Sequence, residues 1–184
     1  MKRPFVVVAV LAAVAGCSST EAGTPVESVA RPADPIPAVQ NPRDLTGIAP
    51  CDMLTQAQLA SVGFDQPGEV AAFEEIDGIP ACVWQDAART REVSAAALID
   101  VDALSNLYLQ RESYAVFELI DVAGHPAVLT QNIAGGTRCS LVVGAAERQS
   151  LDVDFTTIGT GTALPCPEAE RVAEVILGNL PPAS

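Results

Sequence analysis

The chain has 184 residues but only one histidine, so any histidine-dependent catalysis has a single address, His125. A Ser-His-Asp or Cys-His device would have to pass through it. Its neighbours Gly124 and Pro126 have turn chemistry, which predicts a solvated ring with no catalytic part. No G-x-S-x-G nucleophile elbow is present. Carboxylates are the other candidates. Asp152 and Asp154 stand two apart in an alternating segment and would share one strand face, as would Asp100 and Asp102 if that segment is extended. Paired carboxylates bind calcium or hydrolyse glycosides. Calcium needs about six to eight oxygens, however, and a D-x-D pair brings few, so a solvated sheet face is expected. Glu74, Glu75 and Asp77 form an acidic loop that reads as solubilising. Gly159-Thr160-Gly161-Thr162 lacks the lysine of a phosphate-binding loop and reads as a flexible link to Pro165. These residues assign no catalytic role, no metal site and no cofactor.

The five cysteines divide by context. Cys17 follows Met1-Lys2-Arg3, an apolar run from Phe5 to Ala15, and Gly16, the layout of a secretory signal peptide. As a helix that run would reach about 16 Å, roughly half of a bilayer's hydrocarbon thickness, so it is no transmembrane anchor. Val14-Ala15-Gly16-Cys17 resembles the lipobox of bacterial lipoproteins, in which the cysteine carries diacylglycerol and becomes the first residue. Cys17 is therefore the expected lipidation site. Each buried methylene of diacylglycerol or palmitate adds about 0.8 kcal/mol, so several acyl chains give lasting membrane attachment.

Cys51, Cys82, Cys139 and Cys166 remain, an even number in an exported chain, and two disulfides are expected. Of the three connectivities, Cys51 with Cys82 and Cys139 with Cys166 is preferred, because each then closes a loop of about 30 residues. A four-cysteine zinc site would want C-x-x-C pairs, and none occurs.

Composition sets the frame for these sites. From Ser18 to about Asp44 the chain is rich in Ser, Thr, Ala and Pro without hydrophobic period, which reads as a disordered tether. The expected organisation is a signal peptide over 1–16, a lipidated tether over 17–44 and a globular extracytoplasmic domain over 45–184. A net charge of −13 repels polyphosphates, which argues against nucleic-acid binding. Alanine supplies 30 residues and aromatics 4%, so the core is built of small side chains.

Within the domain, Thr55 and Gln58 form a capping box, with Leu54 and Leu59 placed as a hydrophobic staple, for a helix from about Gln56 to Val62. Gly63 is its left-handed stop. A loop through Pro67, Gly68, Gly78 and Pro80 then leads to a strand at Cys82–Gln85, whose Trp84 is expected beside a disulfide. Glu92 to Val101 reads as a strand, and Asp102 caps a helix from Ala103 to Arg111. Ala115–Val122, Ala127–Ile133 and Arg138–Gly144 read as strands, the last two joined by a glycine hairpin loop. Leu151, Val153 and Phe155 alternate with Asp152, Asp154 and Thr156, the clearest strand in the chain. Pro165-Cys166-Pro167 opens a closing helix with Ala169, Val172, Ala173, Ile176 and Leu180 at helical spacing. The expected class is α+β: one antiparallel sheet packed against N- and C-terminal helices.

These features together resemble the actinobacterial lipoprotein family known as domain of unknown function 3558. The matching residues are the lipobox at Cys17, Pro50-Cys51-Asp52-Met53-Leu54, Cys82-Val83-Trp84, Val122-Ala123-Gly124-His125-Pro126-Ala127, Cys139 in its strand, and Pro165-Cys166 before the last helix. The resemblance implies an exported, lipid-anchored, disulfide-bearing domain and no established activity. An analogy to the PsbP-like fold is compatible with the order of elements, but at fold level it supplies no function.

Together these readings predict a non-enzymatic binding or accessory lipoprotein on the outer face of the cytoplasmic membrane. Its partners would be the membrane itself, through Cys17, and a small apolar ligand or an envelope protein. A cell-wall hydrolase using Asp152, Asp154 and Glu74 is the alternative from another class, and an assembly scaffold for an envelope complex is the third.

Overall fold

A computed structural model describes residues 36–73 and 78–183. Its first helix, α1 (Gln56–Ser61), opens with the expected reciprocal cap: Gln58 N donates to Thr55 Oγ1, and Thr55 N donates to Gln58 Oε1. It ends before Gly63, whose φ of +87° only glycine adopts without strain.

Seven strands follow: β1 (Glu69–Phe73), β2 (Ile79–Gln85), β3 (Arg91–Ile99), β4 (Val116–Val122), β5 (His125–Gln131), β6 (Arg138–Ala146) and β7 (Gln149–Thr157). They pair entirely antiparallel in one sheet of order β1-β2-β3-β7-β6-β5-β4. The sheet is thus two meanders, β1 to β3 and β4 to β7, sealed by the long β3–β7 pairing. Across that order β3 and β4 run in the same direction, so the chain between them cannot turn back as a hairpin and must cross a sheet face. Helix α2 (Ala103–Leu109) makes that crossing. The closing helix, α3 (Pro165–Asn179), packs on the sheet through β6 and β7.

The main core combines α1, α3 and one face of the sheet. Trp84, Val93, Leu141, Val153 and Phe155 are buried there beneath Ala169, Val172, Ala173 and Ile176 of α3. On the opposite face a smaller cluster joins Leu98, Val128 and Val142 to Ala103 and Leu104 of α2. With only seven residues, α2 covers part of that face.

Both preferred disulfides are present. Cys51–Cys82 ties the turn at Pro50–Asp52 to β2, and Cys139–Cys166 ties β6 to the first turn of α3. Trp84 does lie beside a bridge: a Cβ on Gly68 would collide with Cys82 Sγ and with the Trp84 indole nitrogen, so only glycine fits there.

Several expectations need correction. The segment read as a loop after Gly63 contains β1, whose sequence Glu-Val-Ala-Ala-Phe has weak alternation and becomes a strand by pairing with β2. Residues 36–44, assigned by composition to the tether, lie along the domain. Arg43 N donates to Ala145 O at 2.7 Å, Ala183 N to Pro42 O at 2.9 Å, and Arg43 bridges to Pro182. The folded part therefore begins before Leu45. The link at Gly159–Thr162 is pinned, with Ile158 N donating to Thr90 O at 2.8 Å and Gly161 N to Ile158 O at 3.0 Å.

Candidate functional site

The sheet face that α2 leaves half open carries a band of polar side chains. Strand alternation places Ser140 and Val142 of β6, Asp152 and Asp154 of β7, Ser94 and Ala96 of β3, and Val128 and Thr130 of β5 on it. Register aligns them in two rows: Ser94, Asp154, Ser140 and Thr130 in one, and Ala96, Asp152, Val142 and Val128 in the next. Above these rows lies a groove of about 590 Å³. Leu98, Val101, Leu107, Tyr114 and Val142 give it apolar walls, and Asn106, Gln110, Gln131 and Asn132 add neutral amides.

The two aspartates of the floor have different surroundings. Asp154 accepts from Arg138 at 2.7 Å and from the Ser140 hydroxyl. Asp152 is only 7% exposed, and no described side chain hydrogen-bonds to it. Burial, then the charge of Asp154, pushes its pKa up to about 8, and the opposing charge of Arg138 only partly offsets them. At neutral pH Asp152 is a protonated acid lining the groove. The expectation of a solvated face for this pair is thus corrected: the crossing of α2 turns the polar side of β7 into the floor of a cleft.

The other acidic pair does not form. Asp100 leaves the strand with φ +60°, its carbonyl accepting from Arg148, while the Asp102 carboxylate caps α2 by accepting from Ser105 N at 3.4 Å. The predicted solvated histidine is also corrected. The turn is made by Ala123 and Gly124, both at positive φ, so that His125 becomes the first residue of β5 and is buried at 3% exposure. Its Nδ1 lies 2.9 Å from Gly144 O. A carbonyl can only accept, so Nδ1 carries the proton and the ring is a satisfied core group.

Cys17 and the acidic loop of Glu74, Glu75 and Asp77 lie outside the described residues. Sequence reasoning missed Arg138 and Ser140 as partners of Asp154. The signal was available: pairing β6 with β7 about the turn after Ala146 sets Ser140 opposite Asp154. Among the described residues, no group of three or more His, Cys, Asp or Glu is placed to hold a metal ion, and no helix is long and apolar enough to cross a membrane.

The class so defined is an antiparallel α+β domain braced by two disulfides, with an acid-floored groove beside its crossover helix. A family described as protein of unknown function (DUF3558) matches residues 12–179, and the chain belongs to it. No curated protein and no solved structure matches the chain.

Proposed function

We propose that this protein is a non-catalytic binding module, held on the outer face of the cytoplasmic membrane by acyl chains on Cys17, that takes a small molecule into the groove beside α2. The single observation carrying the binding part is Asp152, a buried carboxyl with no hydrogen-bonding side chain, lining an open groove. Among the described residues no fully buried side-chain oxygen or nitrogen lacks a hydrogen bond, so the Asp152 oxygens open onto the groove, where a ligand can reach them. The signal-like N-terminus and lipobox-like tetrapeptide support the location.

The raised acid of Asp152 beside Asp154, which pairs with Arg138, is the observation that favours hydrolysis as the second reading. Geometry favours binding. Both carboxyls rise from one strand, about 7 Å apart along it, whereas a glycosidase places its pair on either side of the scissile bond. Asp154 is moreover occupied by Arg138 and Ser140. As for a scaffold, the exposed large apolar residues among the described ones, Val70, Leu109, Leu119, Ile133 and Leu164, come from separate segments of the chain.

Native mass spectrometry of the protein purified from its own host tests the reading. A retained small molecule, lost from a Leu107→Trp variant that fills the groove, is the expected result. Protein that emerges empty and binds nothing from a host extract would end the small-molecule reading, and release of cell-wall fragments that depends on Asp152 would replace it with hydrolysis. For the location, mass spectrometry of the protein from its own host should find Cys17 as the first residue, carrying acyl chains, and an unmodified Cys17 would refute lipid anchoring.

A further inference from the structure

The groove is one positive charge short. Its charged lining residues are Asp152, Asp154 and Arg138, and Arg138 already pairs with Asp154 at 2.7 Å. Among the described residues the rest of the lining offers no second cation. α2 contributes Asn106 and Leu107, β3 contributes Leu98, β5 contributes Thr130, and all are neutral. An ionised Asp152 would therefore stand beside a second carboxylate with only Arg138, already paired to Asp154, to offset it, and in the empty groove it holds a proton instead.

We propose that the groove binds a small monoamine, its protonated amino group seated against Asp152 and its apolar body against Leu98, Leu107 and Val142. This rests on the binding reading above and names the ligand class. An ammonium supplies the charge that an ionised Asp152 lacks and donates hydrogen bonds to its carboxylate, whereas an anion would face Asp154. The proton balance is simple. Asp152 loses its carboxyl proton to solvent as the ammonium takes its place, and no covalent bond forms or breaks. Because burial and Asp154 hold that proton up to about pH 8, amine affinity rises roughly tenfold per pH unit below that point and levels off above it. Among the described residues, the charged groups facing Asp152 are Asp154 on its own strand and Arg138 on β6.

The test titrates hexylamine, hexanol and hexanoate into the full chain carrying Cys17→Ser and follows the backbone amide signals of Leu107, Val142 and Asp152 by NMR. Hexylamine is expected to shift these signals at pH 8 with at least tenfold higher affinity than hexanol or hexanoate. Its affinity should fall about tenfold between pH 7 and pH 6, and proton release on binding should appear as a buffer-dependent heat. Asp152→Asn, which matches the protonated acid in shape, should lose at least tenfold in amine affinity. The pH series on the unsubstituted groove keeps the test decisive if that variant folds poorly. Hexanol or hexanoate binding as well as hexylamine, or amine affinity indifferent to pH, would overturn the amine inference while leaving the groove a binding site. If none of the three probes moves the groove signals, the binding reading falls with it.

Discussion

Asp152 and Asp154 face the same way from one strand, yet Arg138 and Ser140 both bind Asp154 and leave Asp152 unserved. In the unfolded chain Asp152 releases its proton near pH 4, in the folded chain near about 8. Between those values the folded state holds the extra proton, so stability falls as pH rises through this window. Below it both states are protonated and the penalty vanishes; above it the penalty is constant. Asp152→Asn should remove the slope and exceed the parent by a few kcal/mol at pH 8 while matching it near pH 4, on the order expected for a strongly shifted buried acid. Urea unfolding across that range checks it, and parallel curves for both proteins would contradict the burial argument.

Asp86 carries the opposite sign. Burial pushes its pKa up, but hydrogen bonds from the Thr90 hydroxyl and from the Arg91 and Thr90 backbone, with the charge of Arg91, outweigh burial and leave it below the usual carboxylate range. Its contribution is present above about pH 4 and lost as pH falls further. Asp86→Ala unclamps the turn between β2 and β3 and leaves three half-buried donors of Thr90 and Arg91 without their acceptor. A loss of about 1–3 kcal/mol is expected by chemical denaturation at neutral pH, with a smaller difference in acid.

His125 should act as a structural residue. His125→Ala removes a buried ring and strands the Gly144 carbonyl, which should destabilise by about 2 kcal/mol without abolishing folding. Nitrogen-15 NMR should find the ring proton on Nδ1. A ring protonated only on Nε2 would contradict the hydrogen bond assigned here.

The Cys139–Cys166 bridge closes 27 residues of sequence separation and fastens α3 to β6, where the main core is assembled. Replacing both cysteines with serine should cost roughly 3 kcal/mol in the chain-entropy account, and the same change at Cys51 and Cys82, separated by 31, should cost about as much. Thermal unfolding with and without reductant separates the two.

Much of the fold was legible in local sequence, because local signals decided it. The capping box at Thr55, the proline start at Pro165, the stop at Gly63 and the period of two in Leu151–Phe155 each depend on neighbours within a few residues, and each became the predicted element. β1 escaped because its weakly patterned residues form a strand only against a pairing partner, Val70 opposite Cys82 and Ala72 opposite Pro80. His125 escaped for a similar reason. Gly-His-Pro reads as a turn, but the turn closes one residue earlier and the hairpin register carries the ring into the core.

By itself the sequence determined all the strands and helices but β1, that four cysteines would pair, and that Asp152 and Asp154 share one side of a strand. Only the tertiary structure decided what that side meets. An alternating strand has two faces, and its pattern tells them apart without saying whether the polar one looks at water. That depends on the parallel run of β3 and β4, with three strands between them in the sheet, which forces α2 across the face and turns two surface aspartates into the floor of a groove.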